Sequence, residues 1–392
     1  MSSWESQFQE ESERLQAQGL LRTLFAVDSE QDTTITISGK RLLSFCSNNY
    51  LGLANHPLLK QAAISAIEKF GVGAGASRLV SGNCSLYETL ENEIATFKGV
   101  EKALVFNSGY TANVGILNAL IGEDDWVYFD RLNHASLFDG VKMAGSRLRV
   151  YRHKDMDQLK KLLSERPSLH RAMIVTDGVF SMDGDIAALP DLVLLANQYD
   201  AIIYLDDAHA TGVLGENGKG TRAHFDLQSD RIIEMGTFSK ALGGFGGFVA
   251  GSERLISYLM NKAKSLIYTT ALPPSVIATA IAAIQLIQKE PSRIMRLWDN
   301  TATLREAIIA MGYDTCGSET PIIPILIGEA DVAMAFSKRL IACGIYVPAI
   351  RPPTVPKGKS RLRITLMATH TKEQIALLTS SLKEIGSDLG VL

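Results

Sequence analysis

The feature that most constrains the fold is an alternation of short apolar runs with helical segments through the middle of the chain. Five runs of four or five residues have the apolar, branched composition of buried parallel strands. They cover residues 103–106, 126–129, 148–151, 172–176 and 201–205. Helical patterns lie between them, which predicts a mostly parallel, doubly wound α/β sheet.

The run at residues 201–205 is followed by an acidic cluster, Asp206 and Asp207, and by His209. Ligands of open α/β sheets lie beyond the carboxyl ends of strands. A carboxylate there can pair with the protonated ring nitrogen of pyridoxal phosphate, and a histidine three residues on can reach the ring hydroxyl. A metal-binding DDxH site and an acidic loop are the alternatives, although no second cluster completes a metal shell.

A second stretch, IEMGTFSKALGGFGGF at residues 233–248, holds one lysine, Lys240. Small and apolar neighbours remove solvent from the amine, which lowers its pKa and favours the neutral form. A neutral amine can form a Schiff base, and the glycines that follow let backbone approach a bulky planar group. A Gly-rich turn with a solvated lysine is the alternative for this stretch alone. The acidic cluster after residue 205 favours the cofactor interpretation.

The segment NSGYTAN follows the run at 103–106 and opens a helix. Ser108 offers a hydroxyl, and Gly109 and Tyr110 offer backbone N–H groups at the helix N-terminus, which together predict a phosphate site. An ordinary helix cap is the alternative, and the two interpretations are compatible. His134, on the loop after residue 129, is placed to lie against a flat ring, although a lone histidine is more often structural.

The C-terminal part of the chain predicts a smaller α+β domain. Its last strand, RLRITL, alternates, so that Arg361, Arg363 and Thr365 share one face. Two guanidinium groups and a hydroxyl on one face predict a carboxylate clamp, and a solvated outer face is the alternative.

The length of 392 residues permits two domains. We expect an N-terminal helix and hairpin segment at 1–45, a large cofactor-binding α/β domain at 46–288 and a small C-terminal α+β domain at 289–392. The N-terminus is acidic and Gln-rich, which predicts no signal peptide. No apolar run approaches the roughly 18 residues of a membrane span.

Charge and cysteine content bear on the partners and the cellular compartment expected for the chain. A formal net charge of -3 suggests no nucleic-acid partner. The cysteines are far apart, which predicts free thiols in a reducing compartment, the cytoplasm. They are Cys46, Cys84, Cys316 and Cys343.

These stretches together resemble the α-oxoamine synthase family of fold-type I pyridoxal-phosphate enzymes. The resemblance covers nearly the whole chain. It rests on the motifs SNNYLGL, NSGYTAN, DRLNHASL, DGVFSMDGD, LDDAHATGVLGENGKG, TFSKALGGFGG and AIRPPTVPKGKSRLRITLMATHT. The segment IRPPTVPxGxxRLRxTL resembles the branch of biotin biosynthesis. Asp177 instead resembles 2-amino-3-ketobutyrate CoA ligase, because glutamate is usual at this position in the biotin branch.

The resemblance implies roles for matching positions. Lys240 would carry pyridoxal 5'-phosphate covalently, Asp206 would pair with the ring nitrogen, and His134 would stack on the ring. His209 and Ser181 would face the ring oxygen. The phosphate would be held by Ser108, Gly109, Tyr110, Thr237 and, from a second subunit, Thr270. The substrates would meet Arg22, His134, Arg361 and Thr365, with Arg361 at the amino-acid carboxylate and Arg363 able to exchange roles with it.

The implied activity is a decarboxylative condensation of L-alanine with pimeloyl-CoA, or with pimeloyl-acyl-carrier protein, by a homodimer with shared active sites. The alternative is the ligase reaction of glycine with acetyl-CoA, or another α-oxoamine synthase. A nicotinamide-dependent dehydrogenase lacks support, because GVGAGAS has no strand before it. A cofactor-binding regulator would carry a basic DNA-binding segment, and the sequence has no such segment. We expect no metal and no membrane partner.

Overall fold

The computed structural model describes residues 2–17, 20–22 and 24–392 of the chain. The N-terminal part begins with an exposed helix, α1 (Ser3–Ala17). A hairpin of β1 (Thr34–Ile37) and β2 (Lys40–Ser44) follows, as the sequence predicts. Helix α2 (Pro57–Phe70) and a π-helical turn (Arg78–Gly82) lead into the central sheet.

The central sheet has seven strands. They are β3 (Lys102–Phe106), β4 (Trp126–Asp130), β5 (Arg147–Tyr151), β6 (Ala172–Asp177), β7 (Ala201–Asp206), β8 (Ile232–Thr237) and β9 (Gly247–Gly251). Their order across the sheet is β3-β9-β8-β7-β6-β4-β5. All pairings are parallel except those of β9, which runs antiparallel to both β3 and β8. The mostly parallel, doubly wound sheet is therefore confirmed.

Helices cover both faces of this sheet, as a parallel sheet requires. They are α3 (Leu86–Lys98), α4 (Gly109–Leu120), α5 (Ala135–Ala144), α6 (Met156–Ser164), α7 (Leu189–Gln198), a 3₁₀ turn (Glu216–Gly218), α8 (Thr221–His224), α9 (Glu253–Lys262), α10 (Lys264–Ile267) and α11 (Pro274–Lys289). Two apolar clusters cover separate parts of the sheet, one including Ile116 and Leu259 and the other including Leu159 and Leu192.

The remaining chain forms the small domain. Its elements are α12 (Ser292–Ala310), β10 (Ile322–Gly328), α13 (Ala330–Ala342), β11 (Ile345–Tyr346), β12 (Ala349–Ile350), β13 (Ser360–Thr365) and α14 (Lys372–Asp388). Strands β10, β13 and β12 form an antiparallel sheet. The mixture of helices with an antiparallel sheet agrees with the predicted α+β composition, and the domain boundary at residue 289 stays a prediction.

Two details of the strands differ from the sequence-based prediction. The apolar run at 345–349 predicts one strand, but the structure has two short strands in different sheets, because β11 pairs with β2 and β12 pairs with β13. Pro348 lies at the change of sheet, where its missing N–H group cannot continue a ladder. Strand β9 was not predicted, since a run that begins and ends with glycine has a weak strand signal.

The hairpin of the N-terminal segment shares a sheet with the small domain. Strand β2 pairs in parallel with β11, in the register Leu43 to Ile345 and Ser44 to Tyr346. The largest apolar cluster joins Phe45 and Leu51 to residues of α11 and β13, so one core extends from the large domain into the small one. We therefore propose that the hairpin belongs with residues 289–392 rather than to a separate segment.

All four cysteines are free thiols. Within the described part of the chain, no helix combines the length and the apolar character needed to cross a membrane.

Candidate active site

Three neighbouring strands of the central sheet end at one cavity of about 230 Å³. Strand β6 ends at Asp177, β7 at Asp206 and β8 at Thr237. Asp177 and Asp206 are partners in the parallel register. This position, at the carboxyl ends of the strands, is the one the sequence predicts. The predicted site residues that line the cavity are Ser108, Gly109, Tyr110, His134, Ser181, Asp206, His209, Thr237 and Lys240.

Lys240 lies on the tight loop between β8 and β9. The backbone N–H of Gly243 donates to the carbonyl of Lys240 over 2.9 Å, and Gly243 has a φ of +65°. A Cβ at Gly243 would lie 2.5 Å from the backbone nitrogen of Ala54, so only glycine lets the loop pack this closely. Burial lowers the pKa of Lys240, while Asp206 and Asp177 oppose this effect and Arg363 adds to it. The direction is the one that the sequence predicts for a nucleophilic lysine.

Asp206 faces the cavity with both carboxylate oxygens hydrogen-bonded. The side-chain amide of Asn113 donates to Oδ2 over 2.7 Å, and the backbone N–H of Ala208 donates to Oδ1 over 3.0 Å. The carboxylate can thus accept a further hydrogen bond from a protonated ring nitrogen.

Asp207 lies in a different environment from Asp206. It is completely buried and pairs with Lys98, 3.2 Å away, and Lys98 also contacts Glu234. The two adjacent carboxylates therefore do not form one metal-binding DDxH site. The described residues contain no group of three or more His, Cys, Asp and Glu side chains suited to a metal ion.

His209 is buried and contacts the phenol of Tyr50, whose oxygen lies 2.8 Å from Nδ1. Burial raises the pKa of Tyr50 to about 12, so the phenol keeps its proton and can either donate to Nδ1 or accept from it. Burial, followed by the charges of Lys240 and Arg363, holds the pKa of His209 well below its usual value. These effects favour the neutral form of His209. The sequence analysis did not assign Tyr50 a role, although it lies in the motif SNNYLGL.

His134 caps helix α5 at the edge of the cavity. Its Nδ1 accepts the backbone N–H of Ser136 over 3.3 Å and lies 2.7 Å from the hydroxyl of the same serine. The backbone N–H of His134 donates to Asp177 Oδ2 over 2.7 Å. Burial raises the pKa of Asp177 well above its usual value, and Asp206 adds to this effect. Asp177 therefore supports the loop that carries the ring of His134.

The N-terminus of α4 forms the opposite wall. Ser108 caps this helix, and Gly109 and Tyr110 occupy its first turn, where helical geometry leaves N–H groups without an intrahelical acceptor. Thr237 lies across from Gly109, since a Cβ there would be 3.7 Å from the Thr237 side chain. Strand β9 packs behind this turn. A Cβ at Gly247 would lie 2.9 Å from the Gly109 nitrogen, so glycine permits the close approach.

The two arginines of β13 are both buried, so the solvated outer face is excluded for them. Arg363 lies beside the Lys240 cavity. Its Nε donates to the carbonyl of Ser181, and its Nη2 donates to Asn48 Oδ1 over 3.2 Å. Arg361 instead donates to Asp183 Oδ1 over 2.7 Å.

Arg361 lines a second cavity of about 410 Å³, together with Arg131, Asp183 and Lys359. It is not among the residues that line the Lys240 cavity. Arg363 does not line this cavity either, but its charge acts on the pKa of Lys240, whereas Arg361 is not among the groups that act on it. Which of the two arginines meets the amino-acid carboxylate stays a prediction.

Three other predicted residues lie outside the Lys240 cavity. Thr365 is completely buried and donates its hydroxyl to the carbonyl of Ser47 over 2.8 Å, so this hydroxyl is engaged within the protein. Arg22 is exposed on the N-terminal segment. Thr270 is also exposed, and its carbonyl accepts from the side chain of Asn107 over 2.7 Å.

The residues around the cavity fit pyridoxal 5'-phosphate. A desolvated amine, a hydrogen-bonded carboxylate and a neutral histidine converge on a space of about 230 Å³. The helix N-terminus at Gly109 supplies N–H groups where a phosphate would lie. The closely packed glycine Gly247 keeps this wall free of side chains.

Comparison with known proteins agrees with this fit. Residues 40–382 match the family model of aminotransferase class I and II. An 8-amino-7-oxononanoate synthase from Geobacter sulfurreducens is 50% identical over 384 residues, which are 97% of this chain and 98% of the relative. Two solved serine palmitoyltransferase structures with PLP are 30% and 31% identical, each with a TM-score of 0.93 and 98% coverage of both chains. A solved 8-amino-7-oxononanoate synthase from Francisella tularensis is 28% identical, with a TM-score of 0.78, and covers 89% of this chain and 98% of that one.

The fold and the cavity define a transferase of the fold-type I, pyridoxal-phosphate class. Curated relatives that are 45–50% identical over at least 92% of this chain are named 8-amino-7-oxononanoate synthase, one of them with the word putative. The chain belongs to the aminotransferase class I and II family and, within it, to the 8-amino-7-oxononanoate synthases.

Proposed function

We propose that this chain catalyses the condensation of L-alanine with a pimeloyl thioester. The products are 8-amino-7-oxononanoate, carbon dioxide and the free thiol of the acyl carrier, in biotin biosynthesis. A carbon–carbon bond forms between the α-carbon of alanine and the thioester carbonyl, while the C–S bond and the bond to the alanine carboxylate break. The relatives' name supports this reaction.

The single observation that carries the proposal is the Lys240 amine, with its lowered pKa, in the same cavity as the hydrogen-bonded Asp206 carboxylate. Lys240 would hold pyridoxal 5'-phosphate, and Asp206 would pair with its ring nitrogen. The bound cofactor supplies an electron sink for the negative charge that develops at the α-carbon. In its neutral form, Lys240 can take the α-proton of alanine at Nζ and return a proton to the product.

Other residues would position the substrate and the cofactor. His134 would lie on one face of the ring, and His209 would contact the ring oxygen near Ser181. Thr237 and the N-terminus of α4 would hold the phosphate. Arg363 is a buried guanidinium whose charge acts on the pKa of Lys240, and it would bind the alanine carboxylate.

The ligase reaction with glycine remains the second candidate because of Asp177. Its carboxyl group accepts the backbone N–H of His134, and this contact involves no substrate group. We therefore expect that aspartate at this position does not select the acyl donor, and the identity of the curated relatives favours the pimeloyl reaction.

The assembly and compartment belong to the same proposal. We propose a homodimer in which Thr270 of one protomer reaches the phosphate held by the other, since Thr270 is exposed rather than part of its own chain's cavity. The acyl donor can be pimeloyl-CoA or pimeloyl-acyl-carrier protein. Four free thiols are typical of a reducing compartment, the cytoplasm.

Product identification tests this function. Purified protein with pyridoxal phosphate is incubated with L-alanine and pimeloyl-CoA, and separately with glycine and acetyl-CoA, and each mixture is analysed by mass spectrometry. We expect 8-amino-7-oxononanoate in the first mixture only. Turnover of glycine alone would contradict the proposal.

A lysine variant tests the catalytic assignment in the same assay. Lys240→Ala should lower kcat on the order of 10³-fold, because it removes the base and the cofactor attachment. The control Lys262→Ala changes an exposed lysine of α9 and should keep full activity. Substantial turnover by Lys240→Ala would rule out the assigned role.

A further inference from the structure

A chain of buried hydrogen bonds lies behind the Lys240 cavity. The phenol of Tyr204 lies 2.8 Å from Asn113 Oδ1. The amide nitrogen of Asn113 lies 2.7 Å from Asp206 Oδ2 and 2.8 Å from Ser136 Oγ. Ser136 Oγ in turn lies 2.7 Å from His134 Nδ1. The three linking side chains, Tyr204, Asn113 and Ser136, are at most 1% exposed, so water does not compete for these bonds.

The direction of each bond follows from the chemistry at the two ends. Burial raises the pKa of Tyr204 well above its usual value, and the charge of Asp206 adds to this, so the phenol stays protonated and donates to Asn113 Oδ1. This fixes the orientation of the Asn113 amide, whose NH₂ group must face away from Tyr204. The carboxylate of Asp206 can only accept, and one amide hydrogen goes to it.

The second amide hydrogen of Asn113 goes to Ser136 Oγ, which acts as the acceptor. The hydroxyl hydrogen of Ser136 is then directed to His134 Nδ1. The backbone N–H of Ser136 also points to Nδ1 over 3.3 Å. Two donors directed at Nδ1 exclude a proton from that atom. The imidazole is therefore neutral, with its hydrogen on Nε2.

The electrostatic surroundings of His134 agree with this direction. Burial lowers the pKa of the imidazole, Lys240 lowers it further, and Asp206 and Asp139 act in the opposite sense. A neutral imidazole needs one defined tautomer to present a donor consistently to a ligand in the cavity.

We infer that Asn113 is a positioning residue that couples the Asp206 carboxylate to the tautomer of His134 through Ser136. Its amide donates one hydrogen to the Asp206 carboxylate and the other to Ser136 Oγ. The hydroxyl hydrogen of Ser136 is then directed to His134 Nδ1. The donor Nε2–H of His134 is thereby available to the cavity. The tautomer assignment stands independently of the proposed function, and its effect on turnover rests on that function.

Imidazole NMR tests the inference directly. The protein is labelled with ¹⁵N-histidine, and long-range ¹H–¹⁵N correlations report the protonated nitrogen of each of the seven histidines. The signal of His134 is assigned by its loss in His134→Gln. We expect the Nε2–H tautomer in the wild type, both with pyridoxal phosphate and after its removal. An Nδ1–H tautomer in the wild type would overturn the inference.

The variant Asn113→Leu keeps the side-chain size and removes the amide. Ser136 is then free to accept a hydrogen from Nδ1, so we expect a mixture of His134 tautomers and a higher His134 pKa. The control Asn300→Leu removes another partly buried amide, which donates to the carbonyls of Met367 and His370. This control should leave the His134 spectrum unchanged. A folded Asn113→Leu variant with the wild-type tautomer and pKa would overturn the inference.

Two milder variants keep the test decisive if Asn113→Leu does not fold. Ser136→Ala removes the hydroxyl that donates to Nδ1, and Tyr204→Phe removes the bond that orients the amide. We expect the His134 tautomer to shift in both. If both variants fold and show the wild-type His134 spectrum, the proposed coupling of Asn113 to His134 through Ser136 is contradicted.

Activity separates this inference from the proposed function. If the product assay succeeds, Asn113→Leu should lower kcat about 10- to 100-fold, the range seen when the partner that orients an imidazole is removed. If the product assay fails while the His134 tautomer shifts as expected in Asn113→Leu, only the proposed function is contradicted. If product forms while the His134 tautomer in Asn113→Leu stays that of the wild type, only the positioning role of Asn113 is contradicted.

Discussion

Two arginines on one face of β13 have different partners despite lying two residues apart. Arg361 is held by Asp183, whereas the hydrogen bonds described for Arg363 go to neutral oxygens of Ser181 and Asn48. A guanidinium bonded to neutral oxygens keeps its charge for an anionic ligand. This difference makes Arg363 the carboxylate-binding residue in our proposal.

The effect of each substitution on the KM for alanine should distinguish the roles of the two arginines. Arg363→Met removes the charged hydrogen bonds to the substrate carboxylate, so we expect kcat/KM for alanine to fall about 30- to 150-fold, equivalent to roughly 2–3 kcal/mol. Arg361→Met should change the KM for alanine by less than about threefold, although its loss leaves Asp183 unpaired. Steady-state kinetics with saturating pimeloyl-CoA gives both values. The reverse ranking of the two variants would contradict the assignment.

At the residue scale, the sequence identified side chains with distinctive chemistry and spacing. Lys240, Asp206 and His209 could be predicted because each follows a recognisable strand or lies among glycines. Asn113 and Tyr50 could not, because a polar residue within a helix or a turn has no pattern that shows its partners. The alternation in RLRITL placed Arg361 and Arg363 on one face, but only the loop at 181–183 decides which of them faces Lys240.

At the element scale, His153 connects loops that follow two strands of the central sheet. Its Nδ1 lies 3.0 Å from Asp130, at the end of β4, and its Nε2 lies 2.8 Å from Asp185, in the loop after β6. Burial alone would lower the pKa of His153, but the hydrogen bonds and charges of the two carboxylates outweigh it and raise the pKa to about 9. Lys154 lies 3.2 Å from Asp185 and adds a second positive charge to this cluster.

This cluster gives stability a defined pH dependence. The pKa of His153 is higher in the folded than in the unfolded state, where it is about 6.5. The contribution of His153 is therefore complete below about pH 6.5 and is lost as the pH rises through about 9. Burial raises the pKa of Asp185, but His153 and Lys154 outweigh it and lower the pKa. That contribution is lost as the pH falls below the range where carboxylates ionise.

We expect His153→Gln to lower the melting temperature most near pH 6.5. The loss of the imidazolium should cost on the order of 2 kcal/mol there, and the difference from the wild type should shrink by pH 10. Circular dichroism melts over a pH series measure this change. The control His224→Gln alters an exposed histidine and should follow the wild type throughout. A His153→Gln difference that stays constant with pH would contradict this account.

The elements that the sequence predicts best are the apolar parallel strands β4, β6 and β7, because they are buried along nearly their whole length. The sequence analysis missed β9 because this five-residue strand begins with Gly247 and ends with Gly251, which have no side chains to show a pattern. Its position depends on pairing with β3 and β8. Strands β11 and β12 are only two residues long, too short for any periodicity to show. Their sheets are chosen by tertiary partners rather than by local propensity.

At the scale of the whole molecule, large apolar side chains remain exposed near the cavity. Val80 is 78% exposed on the π-helical turn, and Tyr268 is 81% exposed close to Thr270. A bridge between Ser77 and Thr270 joins the two segments. Tyr110, which lines the cavity, is also exposed. Exposed apolar side chains on two adjoining segments are typical of an interaction surface and support the proposed homodimer.

A charge placed in this surface should separate the protomers. We expect Val80→Asp to give a monomer and to reduce activity at least about tenfold, because a buried, unpaired carboxylate is costly at an interface. Size-exclusion chromatography with light scattering measures the mass. The control Leu169→Asp alters a side chain that is 96% exposed on a distant turn and should remain dimeric. A monomeric wild type, or a dimeric Val80→Asp, would contradict this interface.

The pairing of β2 with β11 has a consequence for the order in which the molecule is completed during synthesis. About 300 residues separate these strands, and contacts of such long sequence separation form late. All strands of the central sheet have been made once residue 251 leaves the ribosome, so Lys240 and Asp206 can come together first. The hairpin can pair with β11 only after Ile345 and Tyr346 have been synthesised. Arg363, on β13, is synthesised later still. The group proposed to bind the amino acid is therefore among the last parts of the site to arrive on the nascent chain.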